Sequence, residues 1–229
     1  TGKSVFDTFM EKLPATLLLT VLSIALTVII SIPLGILGAV KQGKWIDRLL
    51  QLCSFIGNAM PNFFVAMLLM ELLSIKLRLL PVIATDTSIK SAWMPTLTLA
   101  ISMSAKYMRQ VRATVLEELN KDYVIGLKAR GVKSRVILWK NVMKAALVTI
   151  LTLLALSIGS LLGGTTIIES IFMWDGVGKL AVDSINMRDY PMILAYVVWM
   201  AIIYVMVNLI TDLLYHRLDP RIRLGVTKG

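Results

Sequence analysis

The chain has 229 residues, of which 57% are hydrophobic and 17% charged, and 24 Lys and Arg against 14 Asp and Glu give a formal net charge of +10. A soluble domain is nearer half apolar and a quarter charged, and here the apolar residues stand in blocks too long for a globular core. The single cysteine, Cys53, excludes an internal disulfide and any multi-cysteine metal site.

Those blocks predict an all-α integral membrane protein with about five spans, because about 20 apolar residues cross the hydrocarbon and lipid forces them to be helical. In chain order the spans are 15–40, 52–75, 93–108 (the shortest), a stretch within 141–168, and 192–215. Pro14, Pro95 and Pro191 are expected at helix starts, where a missing N–H costs nothing. Pro220 follows the last span as a stop. Pro33 and Pro61 fall inside apolar runs and predict kinks. Residues 1–14 carry no cleavable signal pattern. Since the chain starts with neither Met nor a span, it is expected to be part of a longer protein.

Lys and Arg in the connections set the orientation. Seventeen of them flank one side, including ten from Lys106 to Lys144, against seven on the other. This places the N-terminus outside, the C-terminus inside, and an odd number of spans between. The positive charge is therefore topological. No nucleic-acid motif accompanies it, and no nucleic-acid partner is expected.

The longest polar connection, about 109–140, lies inside. Leu116, Leu119, Tyr123 and Leu127 recur at spacings of 3, 4 and 4, predicting one narrow apolar arc along a helix. Gly131 is a helix stop, and Ser134 is expected to cap the helix rising into the fourth span. Periodicity alone allows either a helix lying in the membrane interface or a docking helix for a cytoplasmic partner.

Residues 122–131, DYVIGLKARG, resemble the D-Y-V-x-x-A-R-A-K-G segment of the EAA loop in ABC-importer permeases of the oligopeptide/dipeptide/nickel class. PATLLLT (14–20), IPLGILGAVKQGKWIDRL (32–49), MPNFF (60–64), LLGGTTIIESIFMWDGVGKLAVDSI (161–185), RDYP (188–191) and NLITDLLYHRLDPRIR (208–223) also have counterparts there, in the same order. The resemblance implies the type I importer transmembrane domain, with residues 1–229 as one permease domain and the family's additional N-terminal span missing. It implies a coupling helix near 116–130, in which Leu119, Asp122, Tyr123, Gly126, Leu127, Ala129, Arg130 and Gly131 couple to an ATPase. It further implies two ABC ATPase subunits that bind the ATP and Mg, a second homologous permease, an external substrate-binding protein, and a multi-pass location in the bacterial inner membrane among its lipids. Leu127, Arg130, Lys144 and Asp175 depart from the usual pattern, which has Ala, Lys, part of an Arg-Asn pair and Pro there. The runs GGTTIIESIF and GVGKLAVDSI are similar to nickel permeases, so nickel, a nickel chelate or short peptides are the expected cargo.

The external segment 165–189 carries Glu169, Phe172, Trp174, Asp175 and Gly176. From the residues it reads as an interfacial loop anchored by Trp174; the resemblance makes it a partly re-entrant element facing the binding protein and the outer gate. Glu71 interrupts the second span and reads as paired or snorkelling near Lys76, or as a contact for a cationic substrate. Gly159 and Gly163 form a small-x-x-x-small face suited to close packing or to a moving pathway. Asn208 and Asp212 read as interhelical hydrogen bonding, the 13 Met as packing, and His216 as interfacial. Gly2-Lys3-Ser4 and the GVGK at 176–179 lack the remainder of a phosphate loop. With no acid–base pair, nucleophile triad or metal-ligand cluster, no catalysis, resident metal or cofactor is expected of this chain. The rival reading is an ion-driven carrier or channel without ATPases, which would call for charges at mid-membrane and no amphipathic internal helix.

Overall fold

The computed structural model describes residues 4–84 and 87–218, with the side chains of 155–160, 162–164, 212 and 214–218 outside the description. Thus Asp212 and His216 fall outside it as side chains, and Pro220 and Gly2-Lys3 fall outside it altogether. The described elements are all helical. They are α1 (Val5–Val40), α2 (Trp45–Ala59), α3 (Asn62–Leu69), which widens into a π-turn at Met70–Lys76, and α4 (Ile89–Leu119). There follow α5 (Asp122–Ala129), α6 (Ser134–Val136), which passes through a second π-turn at Ile137–Val142 into α7 (Met143–Phe172), then α8 (Val177–Met187) and α9 (Tyr190–Leu218).

Helix α1 begins well before Pro14. Ser4 caps it, its hydroxyl accepting from the Asp7 N–H at 3.0 Å, and Asp7 in the first turn complements the helix dipole. At about 1.5 Å per residue its 36 residues reach about 54 Å, longer than the ~30 Å hydrocarbon layer. Pro14 and Pro33 both sit within it, and Pro95 within α4, without ending either helix. Pro191 does fall in the first turn of its helix. Pro61 does more than kink its segment. The residue before a proline is pushed to extended backbone, and Met60 has ψ 128°; α2 and α3 therefore meet at a 105° bend.

By length and composition, three helical stretches among the described residues can cross a bilayer: Val5–Val40, Ser134–Leu154 and Tyr190–Thr211. The bent pair α2–α3 makes a fourth if counted as one span. Helix α4 is long enough, but Lys106, Arg109, Arg112, Glu117 and Glu118 fill its C-terminal half. Only its first half is apolar.

Helices α1 and α4 run along each other and form the centre of the bundle. Most of the buried residues of α1 are small or hydroxylated, Thr16, Thr20, Ser23, Thr27, Ser31, Gly35 and Gly38 among them, with Phe9, Leu19 and Ile36 as the large exceptions. Thr20 and Thr27 return their hydroxyl protons to the carbonyls of Thr16 and Ser23, at 2.8 and 2.7 Å, while the buried hydroxyls of Ser23 and Ser31 have no partner among the described residues. Close approach of this kind is how helices gain packing energy where lipid removes the hydrophobic drive. A Cβ on Gly35 would lie 2.7 Å from the Cβ of Val111, and one on Gly57 of α2 would lie 2.8 Å from the Cβ of Ala105. Helix α4 is thus gripped from two sides at points where only hydrogen fits.

Gly35→Ala is expected to lower the melting temperature of the detergent-purified protein through overpacking of about 1–3 kcal/mol. Gly126→Ala, at an open position on α5, should leave it unchanged or raise it. A thermal-shift comparison of the two variants checks this.

Candidate functional site

Three clusters of side chains stand out, two at the end where α5 lies and one at the opposite end.

The apolar arc predicted from Leu116 to Leu127 does not follow one helix. Helix α4 stops at Leu119, Asn120 is its C-cap, and Lys121 is extended (ψ 149°) before α5 starts at Asp122. Asn and Asp favour such breaks because their side chains compete for backbone hydrogen bonds. Leu116 and Leu119 therefore close α4, and α5 is a separate helix of eight residues. Its anchor is Val124, 0% exposed and packed in a core that includes Val115, Ile137 and Val142, with half-buried Leu127 beside it. Glu118 ties it back to α4 by accepting from the Tyr123 hydroxyl at 3.1 Å and pairing with Lys121. At its far end the Gly131 N–H donates to the Lys128 carbonyl and the Val132 N–H to the Leu127 carbonyl, with Gly131 at φ 75°. This is the Schellman arrangement that a glycine makes inexpensive. The following helix starts at Ser134 with Lys133 as its N-cap, so Ser134 is not the cap. Asp122, Tyr123, Gly126, Ala129, Arg130 and Gly131 are exposed together on this short helix and its cap, while Leu119 belongs to α4.

Close by, Asp47 at the start of α2 is 1% exposed and receives both arms of Arg112, Nε to Oδ1 at 2.6 Å and Nη2 to Oδ2 at 2.8 Å. The Gly43 N–H and the Gln51 amide donate to the same carboxylate, each at 2.9 Å. Asp47 precedes the apolar stretch, and the Arg112 guanidinium holds its carboxyl well below the usual carboxylate range. The pair staples the α1–α2 turn to α4 one helical stretch before α5. Its signal in the sequence is local: Asp47 is the sole acid between Glu11 and Glu71 and stands among Lys41, Lys44 and Arg48, with nothing to mark Arg112 as its partner.

At the opposite end, Glu169 near the end of α7 is 0% exposed. Its Oε1 accepts the Thr16 hydroxyl at 2.7 Å and its Oε2 accepts the Lys179 N–H at 3.0 Å; the Thr16 oxygen in turn accepts the Val177 N–H at 2.9 Å. Gly176 and Gly178 give the carboxylate its room, since a Cβ on either would come within 2.9 Å of Glu169 Oε2. Trp174 is buried, not anchored in the interface, because its indole N–H donates to the Ala15 carbonyl at 3.0 Å. The Phe172 carbonyl accepts from the Ala84 N–H at 2.9 Å, binding in the α3–α4 connection as well. Glu169, Phe172, Trp174 and Gly176 are all buried, so they form the foundation of this segment, which exposes Met173 and Asp175 at the turn and Ile167 and residues 185–189 on either side. Asp175, the departure from the expected Pro, pairs with Lys12 of α1.

Among the remaining candidates, Glu71 pairs with Lys76 at 3.4 Å on an exposed face. Gly159 and Gly163 lie on α7 in the stretch whose side-chain surroundings are outside the description.

Residues 31–224 match the family described as binding-protein-dependent transport system inner membrane component. The chain belongs to that family. It is 39% identical over 230 residues to the oligopeptide transport system permease protein AppB of Bacillus subtilis, covering 96% of this chain and 73% of the relative. It is 36% identical over 225 residues to the metal-staphylopine import system permease protein CntB of Staphylococcus aureus, covering 98% and 72%. With the glutathione transport system permease protein GsiC of Pectobacterium atrosepticum it shares 37% over 208 residues, covering 91% and 68%. In fold it is similar to an inward-facing MetNI methionine ABC transporter, with a TM-score of 0.80 at 13% identity over 96% of this chain and 100% of that one. An amino acid ABC transporter solved with histidines gives 0.72 at 16% identity over 93% and 94%. The protein is thus a permease subunit of an ABC importer of the oligopeptide/dipeptide/nickel class, a membrane component and not an enzyme.

Thr16→Val leaves the Val177 N–H unpaired and strips Glu169 of a donor. In this permease it should cost about 1–3 kcal/mol, read as a lower melting temperature. Glu169→Gln should do the same, and the double variant should lose less than the sum of the two, since both act on one network.

Proposed function

We propose that residues 1–229 act as a single transmembrane permease domain, one half of the translocation path of an ATP-driven importer, and that α5 is its coupling helix within the loop 109–140. A second homologous permease supplies the other half, two ABC ATPases bind the ATP and Mg, and an external binding protein delivers the cargo. This chain holds no cofactor. The chain crosses the inner membrane five times, as α1, the bent α2–α3 pair, the apolar half of α4, the α6–α7 segment and α9, with its N-terminus outside and its C-terminus in the cytoplasm.

The observation that carries the coupling role is Gly126. A glycine inside a helix costs about 1 kcal/mol relative to Ala, and apart from its own helix turn no described residue comes within 4 Å of a Cβ placed there. Helix α5 is meanwhile fixed from below by Val124, from the side by Glu118 and at its end by Gly131. A short helix so rigidly held, with a bare exposed midpoint, suits close approach by another chain. Movement of the ATPases would be passed through α5 to α4 and, by the Asp47–Arg112 pair, to α1 and α2, as a rigid-body rocking between two states of access.

The cargo reading is supported by relatives named for oligopeptides, glutathione and metal-staphylopine. Short peptides or a metal chelate, nickel chelates included, are the cargo proposed for this chain. Calorimetry on the receptor that co-purifies with the complex, titrated with nickel salts, nickel–histidine and short peptides, chooses among them.

Gly126→Leu fills the open position with the permease's own contacts untouched. Substrate-stimulated ATP hydrolysis and uptake in proteoliposomes should both fall at least about tenfold, a loss of ~1.4 kcal/mol of coupling, while the complex still assembles. Unchanged ATP-driven uptake would remove α5 from the coupling role, and uptake that persists without ATP would favour an ion-driven carrier.

A further inference from the structure

Beside α5 lies a groove that the coupling role leaves unexplained. It occupies about 510 Å³, within the range of ligand-holding clefts. Val40 at the end of α1, Leu116 and Leu119 at the end of α4, and Leu138 of the π-turn contribute apolar walls, Gln42, Asn120 and Ser134 contribute polar ones, and Lys128 and Arg135 complete the lining. No acid lines it, and neither cation forms an ion pair or hydrogen bond with another described residue. Of the exposed residues of α5, Lys128 lines the groove, while Asp122, Tyr123, Ile125, Gly126 and Ala129 do not.

Its depth in the membrane is marked by its neighbours. The groove opens where the apolar stretch Ser134–Leu154 begins. Trp139, next to Leu138, is 57% exposed, and Trp45, at the start of α2, is exposed too. Exposed indoles at the ends of spans sit at the headgroup level. A trough with apolar walls and two unpaired cations in its polar part, at that level, matches an acyl chain against the first and an anionic headgroup against the second.

We propose that this groove is a binding site for an anionic phospholipid of the cytoplasmic leaflet, its phosphate held between Lys128 and Arg135 and one acyl chain lying along Val40, Leu116 and Leu138. The site rests on the orientation given above, with α5 at the cytoplasmic side. Seated between α1, α4, α5 and the π-turn, the lipid fills the space beneath the helix that the ATPase pushes, and ties that motion to the composition of the membrane.

The test is native mass spectrometry of the purified, delipidated complex titrated with dioleoyl phosphatidylglycerol or dioleoyl phosphatidylcholine. Phosphatidylglycerol should bind the preferred site more tightly, and Lys128→Gln and Arg135→Gln should each weaken it about fivefold. Val40→Trp, which blocks the trough and keeps both cations, should abolish the preference. A thermal melt of each variant separates loss of the site from loss of the fold. Equal binding of the two lipids, or phosphatidylglycerol binding unaffected by all three variants, overturns the proposal. So does a cross-link from Arg135→Cys to an ATPase subunit in the intact complex, which would give the groove a protein occupant. Lipid binding is read without turnover, so its failure is distinct from failure of the coupling role measured by ATP hydrolysis.

Discussion

The architecture depends on how closely α1 and α4 approach. Gly35 faces Val111 with no space for a methyl group, and Gly57 does the same against Ala105. In lipid the gain from such contact is dispersion and not the release of water, so it falls away quickly with distance. The stripe of Thr, Ser and Gly along α1 keeps that distance short, and Thr20 and Thr27 return their protons to carbonyls of their own helix. Everything else in the bundle is placed relative to this seam.

Each end of the seam is locked by a buried carboxylate. Asp47 joins the α1–α2 turn to Arg112 of α4 at one end, and Glu169 joins α7 and the start of α8 to Thr16 of α1 at the other. Both are fully satisfied, the first by a bidentate guanidinium and the second by hydroxyl and backbone donors. Breaking such a site by removing one partner is far costlier than its net worth suggests, because a charge is left buried alone. The first ties the α1–α2 turn to α4 and the second ties α1 to α7 and α8, so α1 is fixed to its neighbours near both ends.

Much of this was legible in the residues. The apolar blocks gave the helices, and Gly131 gave the end of α5 through its left-handed backbone. Local rules failed where tertiary contacts decide. Pro14 looks like a helix start, but Ser4 and Asp7 offer a better one and the helix runs on through it. The leucine arc from 116 to 127 fits a single helix, yet Asn120 breaks it and turns Tyr123 outward to Glu118. Thr16 and Glu169 are 153 residues apart, and a threonine in an apolar helix carries no mark of its distant partner. Trp174 has the chemistry of an interfacial anchor and is instead buried, because the Ala15 carbonyl is available to its indole N–H.

The coupling role of α5 is tested most directly by proximity. Ile125 is 58% exposed on α5, and Cys53, also exposed, can be replaced by serine to leave a single reactive position. In the purified complex carrying Cys53→Ser and Ile125→Cys, a short thiol-to-amine cross-linker should join this chain to an ATPase subunit, with a yield that changes between nucleotide-free and ATP-bound states. A probe at position 125 that instead reports lipid contact in the intact complex, with no ATPase cross-link in either state, would contradict it.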